Sequence, residues 1–194
     1  MTDATERIDT MAVRSLDLLI DAVRQTPPEA LDRPSNLDGW TVRELIGHVT
    51  GSAAKVVALV EGGELWGRSE PADWICADPA GRLSELAVRL RAALPTADLD
   101  AVRPSPQGEV PTRRALAFPV ADLALHSWDL LRSQGRLVEL PDEVLAFCRD
   151  MSTSLPEDVM RRSGAFGPAR PAPPDASPTA ALMAWLGRSV EVPG

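Results

Sequence analysis

Apolar residues recur at every third or fourth position through most of the chain, the spacing that lines one face of a helix. Ile8, Met11, Leu16, Leu18, Leu19 and Val23 predict a first helix, stopped by Pro27-Pro28. A second begins at Trp40-Thr41-Val42, where Thr41 followed by Glu44 has the form of a capping box. Val42, Leu45, Ile46, Val49, Ala53, Val56, Val57 and Val60 then form a stripe about 120° wide, closed by Gly62-Gly63. A third helix is predicted from Pro79 to Leu94, carrying Leu83, Leu86, Ala87 and Leu90, and a fourth from about Pro111 to Ser133 with Gly135 as its stop.

Between the third and fourth helices, Leu99 to Pro111 can fold as a small hairpin around Gln107-Gly108, its prolines restricting it to edge strands. A further helix is expected from Pro141 to about Ser154, then a short turn from Glu157 to Arg162 and a last helix from Thr179 to Leu186. The Pro-rich stretch 168–178 reads as a surface arm. The expectation is one all-α domain over residues 1–194: an up-and-down four-helix bundle with a hairpin-like insertion and C-terminal helical decoration.

Composition narrows the function. A net charge of −8 and only eight aromatic residues, with no tyrosine, argue against nucleic-acid binding. No apolar run is long enough to span a bilayer, and the polar start Met1-Thr2-Asp3 lacks a signal-peptide layout, so a cytoplasmic protein is expected. Cys76 and Cys148 are too few and too far apart for a disulfide scaffold or a cysteine zinc site.

The chemistry centres on the only two histidines, His48 and His126. Asp122 and His126 are four residues apart, so their side chains leave one helix face about 40° from each other. With His48 from the second helix they make a two-histidine, one-carboxylate set, able to hold zinc, iron, nickel or manganese on ligand type. The same spacing also suits a solvated Asp–His pair and a boundary histidine bonded to backbone or water, so spacing leaves both readings open.

The wording of these segments adds to the spacing. Trp40-Thr-Val-Arg-Glu-Leu-Ile-Gly-His48-Val resembles the Trp-x-Val-x-x-Leu-x-x-His segment of the DinB-like bundle superfamily, in the actinobacterial branch related to mycothiol-dependent maleylpyruvate isomerase. Asp122-Leu-Ala-Leu-His126-Ser-Trp128-Asp129-Leu130 is similar to that branch's metal-binding segment, and Ser163 to Pro168 and Leu182 to Arg188 to its C-terminal elements.

The resemblance implies a bundle with one divalent metal, zinc first and nickel or iron as alternatives, held by His48, Asp122 and His126. It also implies a mycothiol-type thiol as cosubstrate. The activity expected is a thiol S-transferase or isomerase acting on a small electrophile, with a metal-bound thiolate as nucleophile. The alternative is a non-catalytic metal- or small-ligand-binding bundle, a sensor or carrier. Two departures matter: the isomerase has Glu where this chain has Asp122, and the stretch after Pro141 is too short and too helical for the isomerase's second α/β domain. Maleylpyruvate isomerisation itself is therefore not carried over. A homodimer is compatible with the apolar helix faces.

The remaining residues take structural readings. Trp40 is expected to plug the helix entry and Trp128 to fill core, while Trp66 and Trp74 belong to a stretch that could cover the site. Asp129, three residues past His126, is read as a solvated face residue in preference to a partner of the histidine. Arg113 and Arg114 read as a solvated pair, Cys76 as inert, and Ser154 and Ser163 as parts of no nucleophile motif.

Overall fold

The structure is a computed structural model that describes residues 7–64, 70–105, 108–154, 156–162 and 166–190. Four long helices form its centre: α1 (Ile8–Arg24), α2 (Val42–Val60), α3 (Pro79–Ala93) and α4 (Thr112–Arg132). Strands β1 (Val102–Ser105) and β2 (Gly108–Pro111) pair antiparallel ahead of α4, the expected hairpin, with its turn residues 106–107 outside the described ones. Helices α5 (Asp142–Thr153), α6 (Glu157–Arg162) and α7 (Pro178–Trp185) follow. The arm is largely exposed and has no regular structure over 168–177, with Pro178 already opening α7; Arg170 N–H pins it by donating to the Ala184 carbonyl at 2.9 Å.

Local chemistry sets the helix ends. The Glu44 N–H donates to Thr41 Oγ1 at 3.2 Å while Thr41 N–H donates to Glu44 Oε2 at 2.7 Å, so the capping box forms and α2 starts at Val42. Asp78 caps α3 by accepting from the Gly81 N–H at 2.8 Å, with Pro79 in the first helical position. The last turn of α4 closes at Gly135, whose φ of 75° needs no Cβ-bearing residue, with Arg136 N–H donating back to the Leu131 carbonyl at 3.1 Å.

Each of α1 and α2 packs on both α3 and α4, while α1 and α2 scarcely touch. The side-chain pairs give the directions. Arg91 bonds Asp17 at 2.7 Å and Arg24 bonds Ser84 at 3.2 Å, so α1 and α3 are antiparallel. Gln134 Nε2 reaches Thr26 Oγ1 at 2.9 Å, so α1 and α4 run together. Ser52 bonds Asp122 and Arg103 reaches the Gly62 carbonyl, which sets α2 antiparallel to α4. The bundle thus runs up, down, down, up. The core contains Leu16, Leu45, Leu59, Leu86, Leu90, Leu123 and Trp128, each at most 1% exposed.

Two features beyond the four helices bear on the site. The turn Pro71–Trp74 lies against α2 at Gly47, where an added Cβ would stand 2.4 Å from the Pro71 carbonyl oxygen; only glycine permits that approach. The C-terminal half of α4 is buried on nearly every side, from Leu123 through Leu130, because α5 packs on α4 and Arg188 of the C-terminal segment reaches Asp129. Among the described residues no helix is long and apolar enough to cross a membrane.

Candidate metal centre

The antiparallel contact of α2 and α4 brings His48, Asp122 and His126 together. Their ligand atoms all lie within 4.8 Å of one another. His48 Nε2 stands 3.2 Å from Asp122 Oδ2, and His126 Nε2 stands 3.2 Å from Asp122 Oδ1, so one carboxylate faces two imidazoles. The rings meet edge to face with centroids 5.2 Å apart. Ser52, one turn after His48, donates its hydroxyl to Asp122 Oδ2 at 2.6 Å. Both histidines are buried, whereas the Asp122 side chain is 31% exposed, so the cluster opens to solvent on the carboxylate side.

The charges are mutually supporting. Burial alone would raise the Asp122 carboxyl, but the charge of His126 and hydrogen bonds to both histidines outweigh it and hold the group well below the usual carboxylate range. Burial alone would lower His126, yet Asp122 first and Asp129 second push it up to about 9 in the metal-free protein. The donor set suits a small divalent ion: two imidazole nitrogens and one carboxylate oxygen already face one point, with an open side. His48 Nδ1 is buried with no hydrogen-bond partner, which leaves Nε2 as the imidazole's one polar outlet, directed at Asp122.

Asp129 corrects its sequence reading. It is fully buried, and its Oδ2 lies 2.9 Å from His126 Nδ1, on the ring edge opposite Asp122. A bare four-helix bundle would leave that side of α4 open; here segments from before α2 and from after α4 close over it. Asn36 Nδ2 donates to Asp129 Oδ1 at 3.0 Å, and Arg188 Nε lies 3.5 Å from Oδ2. Burial would raise Asp129, but Arg188, His126 and Asn36 keep it below the ordinary value. Neither Asn36 nor Arg188 carried a sequence signal for this position, because each comes from a different segment.

The other expectations divide. Trp128 is core, 1% exposed, its Nε1 donating to the Val138 carbonyl at 3.1 Å. Trp40 does more than plug a helix entry: its ring stands edge-on to His48 with centroids 5.0 Å apart and walls one side of the cluster. The Pro71–Trp74 turn packs beside His48 at Gly47, while Trp66 lies outside the described residues, as does Ser163. Arg113 bonds Asp100 at 2.7 Å and Arg114 is exposed. Cys76 is exposed and Cys148 buried. Ser154 donates to the Met151 carbonyl at 2.6 Å, a helix-end contact. Lys55, the only lysine, shares the site-facing side of α2 with His48 and Ser52; partial burial lowers its pKa while the charge of Asp122 opposes that shift.

Comparison with known proteins bears on the fold and the family. Over 188 residues, covering 91% of this chain and 95% of theirs, two uncharacterized proteins of Mycobacterium tuberculosis, from strains CDC 1551 / Oshkosh and H37Rv, are each 26% identical. The crystal structure of the mycothiol-dependent maleylpyruvate isomerase superposes with a TM-score of 0.59 at 19% identity, over 76% of this chain and 70% of that one. A histidine-to-alanine mutant of that enzyme gives the same TM-score at 20% identity and the same coverage. The fold is therefore the DinB-like helical fold. The family model of the mycothiol maleylpyruvate isomerase N-terminal domain matches residues 13–131, most of the chain and all three clustered side chains, and the protein belongs to that family.

Proposed function

We propose that the protein is a divalent-metal-dependent enzyme that transfers or isomerises small electrophilic substrates with a mycothiol-type thiol, and that His48, Asp122 and His126 are the metal ligands. The observation that carries this reading is the convergence of the three side chains on one point that is closed behind and open at Asp122. A zinc, nickel or iron ion bound there would supply the positive charge that favours thiolate over thiol at neutral pH.

The chain's own groups account for the rest. His48 and His126 turn their Nε2 atoms inward, and the Ser52 hydroxyl fixes the Asp122 carboxylate by bonding Oδ2. Trp40 against His48 shields the imidazoles from water on one side. Lys55 is the cation on the site-facing side of α2, so a carboxylate or other anionic group on the substrate would be oriented there. The exposed ring of Phe118, one turn before Asp122 on α4, offers an apolar surface beside the opening.

Two measurements test the reading. Elemental analysis of the untagged protein should give about one transition metal per chain, and incubation with mycothiol or a simpler thiol plus an electrophile such as a chloronitroarene or a maleyl compound should consume thiol in a metal-dependent way. A chain with one metal that consumes no thiol with any partner is the sensor or carrier of the alternative reading. No metal after reconstitution with zinc, nickel or iron removes the proposal.

A further inference from the structure

We infer that Arg188, acting through Asp129, is a positioning residue of the metal centre, so that the C-terminal segment, outside the stretch shared with the family model, completes the site that the four helices begin. The inference rests on the proposed metal centre and extends it from three ligands to a second layer.

Asp129 is 0% exposed and accepts on both oxygens: His126 Nδ1 at 2.9 Å on Oδ2, and Asn36 Nδ2 at 3.0 Å on Oδ1. A carboxylate behind a ligating histidine holds the ring's rotation and keeps the proton on the far nitrogen, so that Nε2 presents its lone pair. A buried carboxylate needs a counter-charge, and Arg188, 5% exposed, brings its Nε to 3.5 Å from the same Oδ2. That Nε is buried and makes no hydrogen bond, so its contact with Asp129 is that of an ion pair across 3.5 Å.

The placement of Arg188 is built into the backbone. Helix α7 ends in a Schellman turn: the Gly187 N–H donates to the Ala184 carbonyl and the Arg188 N–H to the Met183 carbonyl, both at 2.9 Å. Gly187 has φ 89°, and a Cβ there would meet Gly167 backbone at 2.9 Å, so the two glycines let the turn pack closely on the residue just before the arm. The guanidinium then lies 5.2 Å over the Phe166 ring, and Nη1 donates to the Leu186 carbonyl at 3.0 Å. Phe166 in turn meets Phe118, one turn before Asp122, at 6.4 Å between ring centroids. The segment 166–188 thus touches α4 both at the opening of the cluster and behind His126.

The test compares wild type with Arg188→Met and Arg188→Lys, each shown to be folded by circular dichroism and urea denaturation. Two quantities are read: zinc affinity by chelator competition, and the Nδ1–H resonance of His126 in nitrogen-15 histidine-labelled, metal-free protein. The relay predicts that Arg188→Met weakens zinc binding roughly tenfold or more and moves the Nδ1–H signal, with Arg188→Lys recovering part of both. If Arg188 only fastens the C-terminal segment, urea stability falls while affinity and resonance stay as in wild type, and the inference is overturned. An affinity that rises in Arg188→Met, as loss of a repelling charge alone would give, overturns it as well. Should Arg188→Met not fold, Asn36→Ala removes the other support of Asp129, and the same resonance must move. A wild type that binds no zinc defeats the proposed function, but the metal-free resonance still decides the relay.

Discussion

Asp122→Ala is the perturbation from which the site's geometry predicts the most. In the wild type one nitrogen of each imidazole and one carboxylate oxygen lie within 4.8 Å of one another, the set proposed to hold zinc. At free zinc one hundred times its Kd, binding stabilises the folded state by about 2.7 kcal/mol, which for a chain of this length raises Tm by roughly 5–10 °C. The variant should show no such rise. It should also be weaker without zinc, because His48, His126 and the Ser52 hydroxyl lose one shared acceptor, at a cost of about 1–3 kcal/mol. Asp122→Asn separates the two effects, since the amide oxygen can still accept from Ser52 while the charge is gone. The assay is thermal unfolding of untagged protein in chelator and in buffered zinc, beside elemental analysis. Histidines must be neutral to ligate, so the zinc-induced rise should grow between pH 6 and pH 8. A variant that retains stoichiometric zinc, or one that shifts as far as the wild type, would refute the assignment of Asp122.

Five further outcomes are expected. At pH 8 a disulfide reagent should titrate one thiol of the native chain, exposed Cys76, and two after unfolding, because burial pushes Cys148 up to about 12. The stability this gives is whole below the unfolded thiol value near 8.5 and is lost as pH rises through 12, so urea midpoints of wild type and Cys148→Ala should converge in strong alkali. Gly47→Val should destabilise the fold by about 2 kcal/mol in urea, since its Cβ would sit 2.4 Å from the Pro71 carbonyl and must push the Pro71–Trp74 turn off α2; unchanged stability would show that the turn yields freely. Thr41→Ala should cost about 1 kcal/mol by opening the capping box, read the same way. Lys55→Gln should raise KM for an anionic electrophile with little change in kcat, whereas equal loss for neutral and anionic substrates would remove Lys55 from substrate binding.

Helix existence, helix ends and the three clustered side chains were legible in one dimension, for local reasons. A 3.6-residue period, a Thr41–Glu44 box, Pro79 at a first turn and Gly135 past a last one act within a few residues of themselves, so the sequence states them directly. Asp122 and His126 share a face by helical geometry alone, and the wording around His48 supplied the third member. What faces that pair depends on which helices pack together and in which direction. The diagonal placement of α1 and α2 and the antiparallel run of α2 against α4 follow from the whole bundle's burial of its apolar stripes, a non-local balance that no segment encodes. The fate of Asp129 shows the difference most plainly. Its neighbours in sequence are consistent with a wet helix face, and only residues far away in sequence, Asn36 from before α2 and Arg188 from after α7, make it a buried partner of His126. Burial and counter-charge are properties of a place in three dimensions, and that place exists only once the chain has closed on it.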